Sequence, residues 1–373
     1  MADFLSLQEI AIQAKRTLAP EVWDFLSGGA ESESTLKRNR YALDSLAFRP
    51  RVLVDVSKID TSTTFLGLPL RIPVMLAPIG SLHLMHPGGA LPVVQAADRF
   101  GTVPFISTVT NPKMEVLGAA TAGPKIFQLL VRGDSAWVDR TLDRAVASGY
   151  RAIAITVDAA YHGHRDRDLI SRFSPRKFVK WANFDDETDK LNEEQSGKHG
   201  IRYQAAATWS VIAQCRKRSG LPIILKGIAT KEDAKIAIDH GVDALYVSNH
   251  GGRHLDHSVG AVDALLEVVD MAASRVEVVV DGGFIRGSDV VKALARGAKA
   301  VAIGKLQGWA LAAGGEAGVV RALELLEQEI ISTMGFLGVS DVDQLGLDHL
   351  AAVTPMTVPH PLSPYPVFME RFA

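Results

Sequence analysis

The chain has 373 residues, 22% charged and 47% apolar, with a formal net charge of −2. A globular protein of this length builds its core without staples, and 40 basic against 42 acidic residues give no pull toward nucleic acid or an anionic membrane. The one cysteine, Cys215, excludes an internal disulfide, a multi-cysteine zinc site and Cys-x-x-Cys redox chemistry, and no metal site is expected. No apolar run reaches the ~18 residues of a membrane span. The acidic start, MADFLSLQEI, lacks the basic region of a signal peptide, and the ending ERFA is not a Ser-Lys-Leu peroxisomal address. A cytoplasmic protein is the expectation.

Residues 1–70 read as a helical cap, with a helix start at Pro20 and a turn at Gly28-Gly29. From 71 to 335, eight short apolar runs follow. They begin at Val74, Val103, Ile126, Ala152, Pro222, Ala244, Val276 and Ala300. Continuous runs of this kind are strands buried on both faces. Helical spacing lies between them: Ser135 to Ser148 puts Val138, Leu142, Ala145 and Val146 on one face, and Gly149, Gly241 and Gly297 act as stops. Eight alternations of strand and helix predict an α/β protein, a closed (β/α)8 TIM barrel, not an open doubly wound sheet. The rhythm breaks between Asp158 and Lys226, a long loop after strand 4. Its acidic part, 183–200, reads equally well as a solvated excursion and as a lid over the C-terminal face. Residues 336–373 form a C-terminal tail, and 1–373 is taken as a single domain.

In such a barrel the chemistry sits where the strands end. The successive ends carry Ala77-Pro78-Ile79-Gly80, Ser107, Gln128, Thr156 with Asp158, Lys226, Ser248 to Arg253, Asp281-Gly282-Gly283, and Gly304-Lys305. Any one of these polar residues would pass as an ordinary loop residue; so many at one rim point to a site. The glycine turns after strands 7 and 8, with the helices that follow and the charges of Arg286 and Lys305, suit a phosphate. Arg253 offers a planar fork for a carboxylate, and His250, three residues away, is placed to take a proton from the neighbouring carbon or hydroxyl. Asp158 is placed to orient that imidazole. Arg165 reads locally as a surface arginine. For Lys226 three readings stand: a cation beside a cofactor that becomes anionic, a Schiff-base lysine, and a structural ion pair.

Lys226-Gly227, then Ser248-Asn249-His250-Gly251-Gly252-Arg253 with Leu255-Asp256, then Asp281-Gly282-Gly283, resembles the FMN-dependent α-hydroxy acid oxidase and dehydrogenase family. Phe48-Arg49-Pro50-Arg51, Ala77-Pro78, Gln128 and Thr156-Val157-Asp158 extend the resemblance from about Trp23 to about Met334. It implies FMN as cofactor and His250 as the base with Asp158 behind it. Arg253 and Arg165 match the arginines that bind the substrate carboxylate, which lifts Arg165 above its local reading. Lys226 matches the lysine at the flavin N1 and C2 carbonyl edge. Ala77, Pro78, Ile79, Gly80, Ser107, Gln128, Thr156 and Ser248 fall around the isoalloxazine ring. Asp281, Gly282, Gly283, Arg286, Gly304 and Lys305 fall at the ribityl and phosphate groups. A carboxylate substrate, O2 or another electron acceptor, and a homo-oligomer, a tetramer, are implied as well.

The departures from the family pattern shape the expected substrate. Phe25 and Leu130 stand where two tyrosines usually line the pocket, and Val109 replaces a tryptophan found in some members. Ile285 stands in place of the first phosphate-binding arginine, and Lys305 in place of the second, exchanging a fork for a point charge. Smaller, apolar walls predict a 2-hydroxy acid with a bulky apolar side chain, oxidised to the 2-oxo acid. Two rivals stand: a specialised biosynthetic flavin oxidase that acts on an amine or decarboxylates its substrate, and an FMN-binding protein without turnover.

Overall fold

The computed structural model describes residues 3–175, 180–184, 202–356 and 358–372. Eight parallel strands, Val74–Leu76, Phe105–Ser107, Ile126–Leu129, Ala152–Thr156, Ile223–Ile228, Ala244–Val247, Glu277–Val280 and Ala300–Ile303, pair in chain order. The first also pairs with the last, Val301 against Val74, and a bridge from Leu76 to Pro104 closes the ring. All eight strands fall on the apolar runs of the sequence, and the TIM barrel is the fold. Their burial on both faces explains why the runs are continuous rather than alternating.

The cap differs from the expectation in one respect. Helices Leu7–Thr17, Pro20–Ser27 and Ser34–Asp44 are present, but residues 46–70 also hold strands. Leu46–Phe48 pairs with Leu350–Ala352 of the tail. Thr63–Phe65 and Leu68–Leu70 form a hairpin whose Phe65, Leu68 and Leu70 pack with Met75, Phe105, Ile126, Ile224 and Tyr246 inside the barrel. That hairpin plugs one end of the barrel. Helix Leu7–Thr17 lies along the long helix Lys305–Leu337, which follows the eighth strand, and ties the cap to the barrel; a final short helix, Pro366–Phe372, ends the tail.

The stretch after strand 4 carries helices Asp166–Ile170, Arg202–Ala206 and Ser210–Ser219. Most of its acidic part, expected as an excursion or lid, lies outside the described residues.

Candidate active site

The open end of the barrel holds a cavity of about 610 Å³. Ala77, Pro78, Ile79, Gly80, Ser107, Val109, Gln128, Leu130, Thr156, Lys226, Asp281, Gly282, Gly283, Gly304 and Lys305 line it, together with Phe25, Arg165, His250 and Arg253. The expected residues therefore converge on one space.

His250 Nδ1 lies 3.0 Å from Asp158 Oδ1. Burial alone would raise the Asp158 carboxyl, but the charges of Lys226 and His250 and the His250 hydrogen bond together hold it well below the usual carboxylate range. An ionised carboxylate only accepts, so Nδ1 carries the hydrogen, and in the neutral imidazole the lone pair falls on Nε2. The approach depends on Gly227: a Cβ there would stand 2.6 Å from the Asp158 Cβ, and its φ of +111° is one that side chains rarely adopt. His250 itself sits at φ 56°, left-handed backbone fixed by its own N–H donating to Ser248 Oγ at 3.0 Å.

Lys226 closes the fifth strand. Its ammonium donates to Ser248 Oγ at 3.0 Å, and lies 4.0 Å from Asp158 Oδ2 and 3.9 Å from Asp281 Oδ2. Tyr246, on the neighbouring strand, donates its hydroxyl to Asp281 Oδ2 at 3.0 Å and presents its ring 5.1 Å below the ammonium. The third and fourth strand ends are tied to each other, with Gln128 Nε2 donating to Thr156 Oγ1 at 2.7 Å.

Arg253 and Arg165 flank one aromatic ring. Their guanidinium carbons stand 5.0 and 5.3 Å from the Phe25 centroid. Burial, then the charge of Arg165, push Arg253 down to about 9. Arg253 Nη1 donates to the Gly28 carbonyl at 3.1 Å, and Arg165 Nε is 3.4 Å from Asp168 Oδ2. Two half-buried cations side by side favour an anion between them.

Three expected positions lie off the cavity wall. Asp158 and Ser248 stand behind His250 and Lys226 and act through them. Arg286 is a correction. Its guanidinium turns to Glu329 Oε1 at 2.9 Å and over the Tyr365 ring, away from the cavity. The helix start expected to greet a phosphate there is already filled. Asp289 Oδ2 accepts from the N–H groups of Ile285 and Arg286, and Glu329 Oε2 from that of Gly287.

Other wall residues were not read from the sequence: Arg40, Met85, Phe173, Trp181, His254 and Pro361. Arg40 is buried, bidentate to Asp289 at 2.8 and 2.9 Å, and donates to the Gly283 carbonyl. The His254 ring meets His250 edge-on, centroids 4.2 Å apart, and Gly163 N–H donates to its Nδ1. Burial, then the charge of His250, keep it well below the usual histidine value, so it stays neutral. It adjoins Arg253 in sequence, which was the available signal; the other five come from distant segments.

These residues fit FMN. Lys305, pushed down to about 7 by burial and then by Arg253, donates at 3.1 Å to the Gly251 carbonyl and begins the helix after the eighth strand. An ammonium at a helix start suits a phosphate. Asp281 Oδ1 is buried with no protein partner and faces the space, a fit for a sugar hydroxyl.

The chain matches the family described as FMN-dependent dehydrogenase over residues 14–352. It is 36% identical over 355 residues to glycolate oxidase of Spinacia oleracea, covering 94% of this chain and 96% of that one. Glycolate oxidase 1 of Oryza sativa subsp. indica is 37% identical over 355 residues, with the same coverage. A soluble mutant of the membrane-associated (S)-mandelate dehydrogenase from Pseudomonas putida superposes with a TM-score of 0.87 at 32% identity, over 94% of this chain and 100% of that one. Mandelate oxidase with (S)-2-phenylpropionate gives 0.85 at 35% identity, over 95% and 100%. The chain belongs to the FMN-dependent dehydrogenase family. It is an oxidoreductase that uses FMN to oxidise 2-hydroxy acids.

Proposed function

We propose that the substrate is a 2-hydroxy acid with a bulky apolar side chain and that His250 is the base of its oxidation. The observation that carries this is the His250–Asp158 pair opening on the same cavity as the two guanidinium groups over Phe25. Arg253 and Arg165 bind the substrate carboxylate, each charge-assisted contact contributing about 1.5–3 kcal/mol. Nε2 of His250 takes the substrate proton, and Asp158 balances the imidazolium that results. Bound FMN supplies the two-electron acceptor, and the Lys226 ammonium stands on the same rim to balance negative charge. The substrate loses two hydrogens in all: Nε2 takes one as a proton and the other would leave with the electron pair for bound FMN, so that a 2-oxo acid remains and the electrons pass on to O2 or another acceptor. A flavin-binding scaffold has no need of a base held by a buried carboxylate.

The apolar wall supports the bulky substrate. Met85, Val109, Leu130, Phe173 and Trp181 line the cavity. Trp181 donates its Nε1–H to Ser81 Oγ at 3.2 Å, so its ring, not its polar edge, is left for the substrate. The mandelate oxidase structures hold aryl acids such as (S)-2-phenylpropionate and benzoyl-formic acid. The test is kcat/KM for glycolate, lactate, 2-hydroxyoctanoate and mandelate, in air with peroxide detection and anaerobically with a dye. A preference for glycolate overturns this reading.

No helix among the described residues is long and apolar enough to cross a membrane. Val52, Leu53 and Phe336, exposed side chains near one another, support a contact between copies of the chain, and a mass measurement in solution checks whether the assembly is the homotetramer the family resemblance implies.

A further inference from the structure

We propose that the C-terminal tail, residues 358–372, is part of the cofactor site: it walls the phosphate end of the cavity, and FMN leaves only when the tail lifts. This rests on the FMN reading above. The family match ends at residue 352, so nothing in the match assigns the tail a part in the site. Yet the tail is seated on the barrel mouth. Pro361 lines the cavity itself. Four residues on, Tyr365 is fully buried, and its hydroxyl donates to the Ile285 carbonyl at 2.7 Å, on a cavity-lining residue of the turn after the seventh strand. Ser363 Oγ donates to Asp44 Oδ2 at 3.1 Å, and Asp44 pairs with Arg40, another wall residue.

The far end of the tail is anchored independently. Phe368 donates its N–H to Gln8 Oε1 at 3.0 Å, and its ring stacks on Trp23 at 5.6 Å; Trp23 in turn stacks at 5.7 Å on Trp309, which lines the cavity. The tail thus bridges the cap helices and the turn at Ile285 and, through Trp23, reaches the start of helix Lys305–Leu337, the three pieces that frame the phosphate end.

A wall matters here because the barrel grips this end sparingly. Asp289 and Glu329 occupy the N–H groups of residues 285–287, and Arg286 is turned outward. Lys305 faces the space beside Gly283 and Gly304, and the other cation there, Arg40, is held bidentate by Asp289. With few groups holding the phosphate, the rate of escape is set by what covers it.

The test has two parts. FMN release from the loaded protein is followed by the recovery of free-flavin fluorescence after dilution, in wild type, Tyr365→Phe and Phe368→Ala. Tyr365→Phe removes one hydrogen bond and keeps the ring, and release is expected to speed up about 5- to 10-fold; Phe368→Ala frees the far anchor and speeds it at least as much. Hydrogen exchange of the wild-type tail, with and without FMN, needs no variant, and amides of residues 362–369 are expected to gain protection on loading. Release within about twofold of wild type in both variants overturns the proposal, as does tail protection indifferent to FMN or a lowered melting temperature with release unchanged. A wild-type chain that takes up no FMN overturns the underlying reading instead.

Discussion

Asp158 Oδ1 stands 3.0 Å from His250 Nδ1, and that contact decides which nitrogen of the imidazole faces the cavity. Because Asp158 stays ionised, Nδ1 keeps its hydrogen, and Nε2 is the proposed base. His250→Ala is expected to retain FMN and to lose about 10²–10⁴-fold in the anaerobic bleaching rate, the usual worth of a positioned base. Asp158→Asn should lose a large part of the same factor, since a neutral amide neither fixes the tautomer nor balances the imidazolium. Single-turnover rates with matched flavin content check both.

Arg253 and Arg165 share the Phe25 ring, so replacing one by lysine changes more than shape. Arg253→Lys removes the fork and the flat contact with the ring while keeping a charge. KM for the 2-hydroxy acid is expected to rise about tenfold or more, equivalent to a loss of roughly 1.4 kcal/mol, with a smaller effect on kcat. Steady-state kinetics over a range of substrate concentrations separates the two. An unchanged KM would remove Arg253 from the carboxylate site.

Leu130 is buried at the cavity wall, its N–H fixed by Thr108 Oγ1 at 3.0 Å. Each methylene that finds apolar contact contributes about 0.8 kcal/mol. Leu130→Tyr narrows the space and adds a hydroxyl, so kcat/KM should shift toward glycolate and lactate and fall for 2-hydroxyoctanoate. A profile that does not move means that Leu130 lies outside the substrate's reach.

Lys305 gives FMN binding a pH dependence with a definite sign. In the empty site its ammonium is pushed down to about 7, so the group is neutral above that pH. A bound phosphate favours the charged form and restores the proton. Binding above pH 7 therefore requires proton uptake, and the FMN Kd should rise by up to about tenfold per pH unit there. In Lys305→Arg the side chain stays charged and the dependence should flatten. Equilibrium titrations by flavin fluorescence between about pH 6 and 9 measure it.

The sequence exposes the barrel because strands buried on both faces leave continuous apolar runs, and glycines mark their turns. It hides the hairpin at Thr63–Leu70, where Pro69 argues against a strand. The rim residues are legible because barrel strands end in register, so position after a run predicts placement. Arg286 is misread for a reason that no local pattern carries: its partner, Glu329, comes from helix Lys305–Leu337, and Asp289 closes the helix start from within. Trp181, Phe173 and Pro361 reach the cavity from the loop after strand 4 and from the tail, whose course tertiary packing sets.

The central claim is tested most directly by mixing the FMN-loaded protein anaerobically with excess 2-hydroxyoctanoate, following the yellow colour and recovering the product. The expected result is complete bleaching with about one 2-oxo acid formed per flavin, and bleaching slowed at least about 100-fold in His250→Ala. Bleaching of His250→Ala at the wild-type rate, or no bleaching of wild type by any 2-hydroxy acid, would contradict the account.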